Sequence, residues 1–168
     1  FIVKLASKIG KKELSMIGCF ISAASFILLF IIHTHNVLVW VGLIIVATIG
    51  TSMFNMVIWA MITDVIDESE VQTGVRQDGT IYSVYSFARK LGQACSSGLS
   101  GVLLSIIGYT SVTAFDPKVV DGIYNITCLV PAGGMILLLL ALWFLYPLNK
   151  KRVEENAEKL RIKRNENA

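Results

Sequence analysis

Four long apolar runs are separated by short polar segments along the chain: Leu14 to His33, Val37 to Thr63, Gly79 to Gly108 and Ile123 to Pro147. A hydrocarbon layer about 30 Å thick needs about 20 helical residues to cross it. Each run meets that length, so the pattern predicts an all-α membrane protein with four transmembrane helices.

The polar residues inside the runs are not scattered. In the third run Ser83, Ser86, Lys90, Gln93 and Ser97 recur at helical spacing and share one face. In the second, Thr48, Ser52, Asn55, Trp59 and Thr63 form a matching stripe. A polar stripe on an apolar helix is expected to line something wet. The first run carries small residues instead, with Ser15, Cys19, Ser22 and Ser25 near Gly18, a face that allows close helix packing and marks a supporting helix. Gly98, Gly101, Ser105 and Gly108 make a second small-residue side on the third run. The fourth run has no stripe, is expected to kink or break at Pro131 ahead of Gly133 and Gly134, and reads as lipid-facing.

Lys90 gives the pattern its chemistry. Counted from a helix start near Gly79, it lies about 16 Å along the axis, close to the bilayer midplane. An isolated cation there costs from about 3 to more than 10 kcal/mol, so intramembrane cations face a bundle interior or a water-filled path. The bland alternative is a cation that snorkels to the interface, which the length of helix beyond Lys90 disfavours.

Composition agrees with a membrane class: of 168 residues, 54% are hydrophobic and 16% charged. The chain opens on FIVK without an initiator Met and is expected to be the C-terminal piece of a longer protein. No signal peptide is expected, since three further apolar runs follow the first with no small-residue cleavage site between them. Cys19, Cys95 and Cys128 are widely spaced within the runs and suggest neither a disulfide framework nor a zinc site. They are expected to be small apolar fillers.

The segments between the runs set the orientation. Lys4 to Lys12 reads as a basic loop before the first span, and Lys150 to Ala168 as a charged tail of seven Lys or Arg and four Glu. Both belong on the cytoplasmic side by the positive-inside rule. The tail is expected to be mostly disordered or surface-bound, with Glu/Lys spacing that could support a short amphipathic helix. His33 and His35 sit in a short far-side turn, where interfacial histidines are a stronger reading than a metal pair. The connector from Asp64 to Asp78 holds Asp64, Asp67, Glu68, Glu70 and Asp78 against one Arg76. Asp64, Asp67 and Glu68 share a face on a continuing helix. Arg76 and the basic loop at Lys8 to Lys12 are plausible partners that could latch one conformation, against the alternative of a solvated acidic loop. Tyr109 to Gly122 is expected to be an extracytoplasmic loop with a turn at Asp116-Pro117. Residues 1–13 are thus the end of a preceding helix with the basic loop, 14–147 the transmembrane part and 148–168 the tail.

The same residues carry a family likeness. Asp64, Asp67 and Glu70 (D-x-x-D-x-x-E), Thr73, Gly74, Arg76 and Gly79 (T-G-x-R-x-x-G), Tyr82, Ser83, Lys90 and Gly92, then Gly108 and Tyr109 resemble the glycoside–pentoside–hexuronide:cation symporters. These form the melibiose-permease branch of the major facilitator superfamily. Gly10, Lys11 and Lys12 resemble that superfamily's basic loop between paired helices. The resemblance implies that the four spans are helices nine to twelve of a twelve-helix fold, with the tenth and eleventh lining a central cavity. It implies cation-coupled symport of a glycoside, pentoside or hexuronide by alternating access, with no enzymatic activity and no cofactor beyond a coupling Na⁺ or H⁺. It also implies as partners the sugar, the bilayer of the inner membrane and the N-terminal half of the transporter, and no nucleic acid. The coupling-cation site lies mainly in that N-terminal half, so this chain does not decide between the two ions.

Carried over residue by residue, the resemblance makes Lys90, Ser86, Asn55, Trp59, Arg89 and Gln93 substrate-binding candidates, and Asp64, Asp67, Glu70 and Arg76 a conformational gate. The chain departs from melibiose permease in carrying Asn55 where that protein has an aromatic, with Trp59 one turn further along. Trp59 reads equally as a stacking platform for a sugar or an aromatic-belt anchor. Tyr85 and Arg89 replace apolar or amide residues, and a second cation beside Lys90 favours an anionic sugar such as a hexuronide. Two rivals are weighed. An intramembrane prenyltransferase would use Asp64, Asp67 and Glu68 for Mg²⁺, but lacks a second Asp-rich cluster. A lysophospholipid carrier of the same branch would show a continuous apolar groove in place of a polar and aromatic wall.

Overall fold

The structure, a computed structural model, describes residues 2–166, with side chains from Leu5 to Asn165. Phe1, Asn167, Ala168 and the side chain of Lys4, parts of the expected basic and tail segments, lie outside the described residues. The described chain is helical throughout, with helices α1 (Ile2–Ile9), α2 (Lys11–Ile32), α3 (Val37–Thr73), α4 (Asp78–Ile106), α5 (Pro117–Phe144) and α6 (Lys150–Glu166).

Helix α2 is the centre of the packing, with α3 on one side and α5 on another. Its small-residue face explains the position. Ser15, Gly18, Cys19, Ser22 and Ser25 are all buried, and α2 crosses α3 where Gly18 meets Gly50. A Cβ built on Gly50 would stand 2.5 Å from the Gly18 carbonyl oxygen, so only hydrogen fits there. The close approach brings the hydroxyls of Ser22 and Thr51 to 3.0 Å. Around the crossing, Leu14, Cys19, Val57, Met61 and Leu142 form the apolar core. Tyr124 Oη donates to the Leu29 carbonyl at 2.8 Å and so fastens α5 to α2.

Three helices, α2, α3 and α5, are long and apolar enough to cross a membrane. Of the four expected spans, these three meet the length and apolar content on their own. Helix α4 has the length, at 29 residues, but its serines and glycines together with Arg89 and Lys90 dilute its apolar content, and it is not among the three. None of its residues is buried. Gly98, Gly101 and Gly108, expected on a packing side, have no atom within 4 Å of a built Cβ. Ser83, Ser97 and Ser100 each donate to the carbonyl four residues earlier within the helix, as in Ser97 Oγ to the Gln93 carbonyl at 3.0 Å.

Several boundaries also move. The basic segment is not a loop: it is the end of α1 and the first turn of α2, joined at Gly10, whose φ of 120° is open to glycine. Helix α3 runs ten residues past Thr63 and stops at Gly74, left-handed with its N–H on the Glu70 carbonyl. The acidic connector is therefore mostly helix. Helix α5 begins at Pro117, a residue suited to a first helical position, and this shortens the expected far-side loop. It continues through Pro131 without a break. It is also only partly peripheral, because Val119, Cys128, Ala132 and Leu142 are buried while Trp143 and Phe144 are exposed. The tail is neither disordered nor merely surface-bound: α6 buries Asn156 and Leu160.

Candidate functional site

Two places gather polar chemistry. The first is a cleft of about 650 Å³ between α3 and α4, lined by Phe54, Asn55, Ile58, Trp59, Tyr85, Ala88 and Arg89. Helical spacing puts Asn55 and Trp59 on the side of α3 that α2 leaves uncovered. Tyr82, Tyr85 and Arg89 step by three and four along α4 and so face α3 together. The Tyr85 ring meets Trp59 edge-on, with centroids 5.4 Å apart and planes at 72°. Tyr82 lies 6.3 Å from the same indole. The Arg89 guanidinium stands over it, with Cζ 5.8 Å from the ring centroid, within cation–π range. Trp59 is thus contacted by three side chains of α4 while remaining 48% exposed.

Of the six expected substrate residues, Asn55, Trp59 and Arg89 meet in this cleft. Ser86, Lys90 and Gln93 do not line it. They lie about 100° further round α4, on an exposed face. Tyr85, noted in the sequence only as a departure, joins the lining, and the spacing Tyr82, Tyr85, Arg89 was the signal for it.

The second place is the charged end of the bundle. Lys11 donates to Asp64 Oδ1 at 2.6 Å, with the Asp64 side chain 5% exposed, and also to the Ala60 carbonyl. Arg76 Nη1 lies 3.0 Å from both Asp67 Oδ1 and Glu70 Oε2, and its Nε 2.8 Å from Asp78 Oδ2. Asp78, Glu70 and Asp67 hold this guanidinium's pKa above its already high ordinary value, so it stays a cation. All four expected gate residues are therefore ion-paired at one end of the bundle.

The tail enters the same network, which the sequence did not foretell. Arg152 and Asn156 both donate to the Glu68 carboxylate, and Arg164 approaches Glu70 at 3.6 Å. Lys163 donates to the Gly74 carbonyl at 3.1 Å. At the opposite end, His33 Nε2 lies 3.5 Å from Asp121 Oδ1 and stacks at 4.5 Å on Tyr124. Among the described residues no three His, Cys, Asp or Glu side chains group as metal ligands. The three cysteines are free; Cys19 and Cys128 are buried and Cys95 is exposed.

The family model described as "MFS/sugar transport protein" matches residues 1–150. The chain is similar to the "Glucuronide carrier protein homolog" of Escherichia coli, 34% identical over 90% of this chain and 33% of that protein. It is similar to the "Uncharacterized symporter YjmB" of Bacillus subtilis, 38% identical over 90% of this chain and 33% of that protein. It is also similar to the "Putative sulfoquinovose importer" of Salmonella typhimurium, 33% identical over the same two shares. The chain spans about a third of the length of these curated relatives.

Proposed function

Since the chain belongs to the MFS/sugar transport protein family, we propose that it forms the C-terminal third of a secondary active transporter that couples uptake of a sugar to Na⁺ or H⁺. The observation that carries this reading is the α3–α4 cleft. A pyranose has apolar C–H faces and a rim of hydroxyls. Trp59 and Tyr85 offer aromatic surface to the first, and Asn55 and Arg89 offer hydrogen-bonding groups to the second. The wall is aromatic and polar, as a glycoside, pentoside or hexuronide needs, and is not the continuous apolar groove that a lipid tail would ask for. The relatives named for glucuronide and sulfoquinovose support a sugar as cargo, and those named symporters or carriers support transport over catalysis.

In this reading α2 to α5 are helices nine to twelve of a twelve-helix transporter in the inner membrane. The α3–α4 cleft faces the N-terminal half across a midplane site, and α6 lies in the cytoplasm. Lys90, Ser86 and Gln93, exposed on the neighbouring face of α4, reach the same path from its far wall. The pairs at Asp64, Asp67, Glu70 and Arg76 hold the cytoplasmic end in one state, and alternating access needs some of them to break and re-form. The coupling ion is bound mainly by the N-terminal half.

The test is accumulation of labelled sugars by the full-length protein in vesicles, with and without an imposed Na⁺ or H⁺ gradient. Gradient-dependent uptake that falls about fivefold or more in Trp59→Ala and less in Trp59→Phe is expected, because the lost stacking contact is worth about 1 kcal/mol or more. Absence of gradient-dependent accumulation of any glycoside or hexuronide would remove the reading.

A further inference from the structure

With α4 spanning the bilayer as in the reading above, Arg89, eleven residues into the helix and about 16 Å along its axis, lies near the midplane of a 30 Å hydrocarbon layer. A guanidinium keeps its charge at any accessible pH and carries five N–H donors with no acceptor. At that depth it needs a counter-charge.

Among the described residues, the acids at the end of α3 and the start of α4 are committed elsewhere. Asp64 pairs with Lys11, Glu68 with Arg152, and Asp67, Glu70 and Asp78 with Arg76. Among the described residues no carboxylate lies within ion-pair distance of Arg89. What the structure gives it is the face of Trp59. Stacking engages the flat side of the guanidinium and leaves its N–H edge free for a planar, two-oxygen partner. That edge belongs to the cleft that Asn55, Trp59 and Tyr85 also line. Lys90, the neighbouring cation, is outside the lining, so of the two only Arg89 is placed beside the aromatic platform.

We infer that Arg89 is the specificity-determining residue of the cleft, and that it selects a sugar bearing a carboxylate. The sugar ring rests on Trp59 and Tyr85, the carboxylate is taken by the guanidinium edge, and Asn55 is left for a ring hydroxyl. The neutral twin of the same sugar fits the platform but leaves the cation without its counter-charge. This inference rests on the sugar-site reading above. Its competitor is a carboxylate supplied by the rest of the transporter, which would make Arg89 a structural ion-pair partner indifferent to the sugar's charge.

The two are separated with a matched pair of probes, an aryl glucuronide and the corresponding aryl glucoside. Each is read as cargo and as competitor in vesicles holding the full-length wild type, Arg89→Gln or Arg89→Lys. The wild type is expected to prefer the glucuronide. Arg89→Gln is expected to raise the half-saturating glucuronide concentration about 10- to 100-fold, the range of a charge-assisted hydrogen-bonded contact, and the glucoside's several-fold less than the glucuronide's. Arg89→Lys, which keeps the charge but not the fork, is expected to retain the preference at weaker affinity, and it carries the test if the Gln variant does not reach the membrane. Equal losses for both probes in the variants, unaltered selectivity, or a wild type that prefers the glucoside would overturn the assignment while leaving the transporter standing. Uptake of neither probe by the wild type would remove the sugar-site reading and the assignment with it.

Discussion

Lys11 and Asp64 meet at 2.6 Å and tie the first turn of α2 to α3 where α3 leaves its apolar stretch. The carboxylate is buried and the lysine about one-third exposed, at 5% and 31%. The second oxygen of Asp64 has no hydrogen-bond partner among the described residues, so Lys11 supplies most of what compensates for burying that charge.

Removing one partner should therefore cost more than removing both. Lys11→Met is expected to destabilise the protein by about 3 kcal/mol, the low end for breaking a buried pair because the lysine is partly solvated. Asp64→Asn in the same chain should recover at least half of that loss. Melting temperatures of the two purified variants check this, and a double variant no more stable than Lys11→Met would contradict it.

The Gly18–Gly50 crossing makes a sharper steric prediction. Gly50→Ala places a methyl carbon 2.5 Å from the Gly18 carbonyl oxygen and 2.9 Å from the Ser22 backbone nitrogen, neither of which can swing aside. A loss of about 1–3 kcal/mol is expected as α2 and α3 are pushed apart. Gly42→Ala on the same helix meets nothing within 4 Å and should be neutral or slightly stabilising, since alanine is the better helix former. Thermal melting of the pair decides it, and equal effects would show that the crossing is looser than described.

Docking of α6 rests on Glu68, which accepts from Arg152, Asn156 and Gln72. Glu68→Ala should release the tail and speed tryptic cleavage at Lys159 and Arg161 several-fold. Salt at about 1 M, where screening acts over about 3 Å, should move the wild type in the same direction. A cleavage rate untouched by the substitution would mean that burial of Leu160 and the contacts of Lys163 with Gly74 and Arg164 with Glu70 hold the helix without it.

These tests also mark where the sequence was readable. Three of the four spans, α2, α3 and α5, follow from apolar length, and the packing role of α2 from Ser15, Gly18, Cys19 and Ser22, because small residues at helical spacing permit only a few neighbours. The end of α3 did not follow. Asp64, Asp67 and Glu68 were read on a continuing helix, but charge made the stretch look like a connector, and the stop came at Gly74 where a left-handed residue was available. In the cleft, Asn55, Trp59 and Arg89, three of the residues the family likeness points to, converge. In the sequence the serine-rich stripe of Lys90 is the more visible of two adjacent faces, and Arg89 stands on the other. A 3.6-residue period cannot choose between phases one residue apart, whereas the contact with Trp59 sets Arg89 at the cleft. The tail was obscured by its charge, which hid the short face of Val153, Asn156 and Leu160.

Occupancy of the cleft can be measured directly. In the full-length protein with Cys95→Ser as background, Ala88→Cys places a thiol in the cleft wall and Leu99→Cys places one on α4 outside it; native Cys19 and Cys128 are buried. A saturating aryl glucuronide or glucoside, at ten times its dissociation constant, should slow alkylation of Ala88→Cys by about tenfold and leave Leu99→Cys unchanged. Unprotected alkylation at position 88, in a protein that still accumulates the sugar, would place the binding site elsewhere.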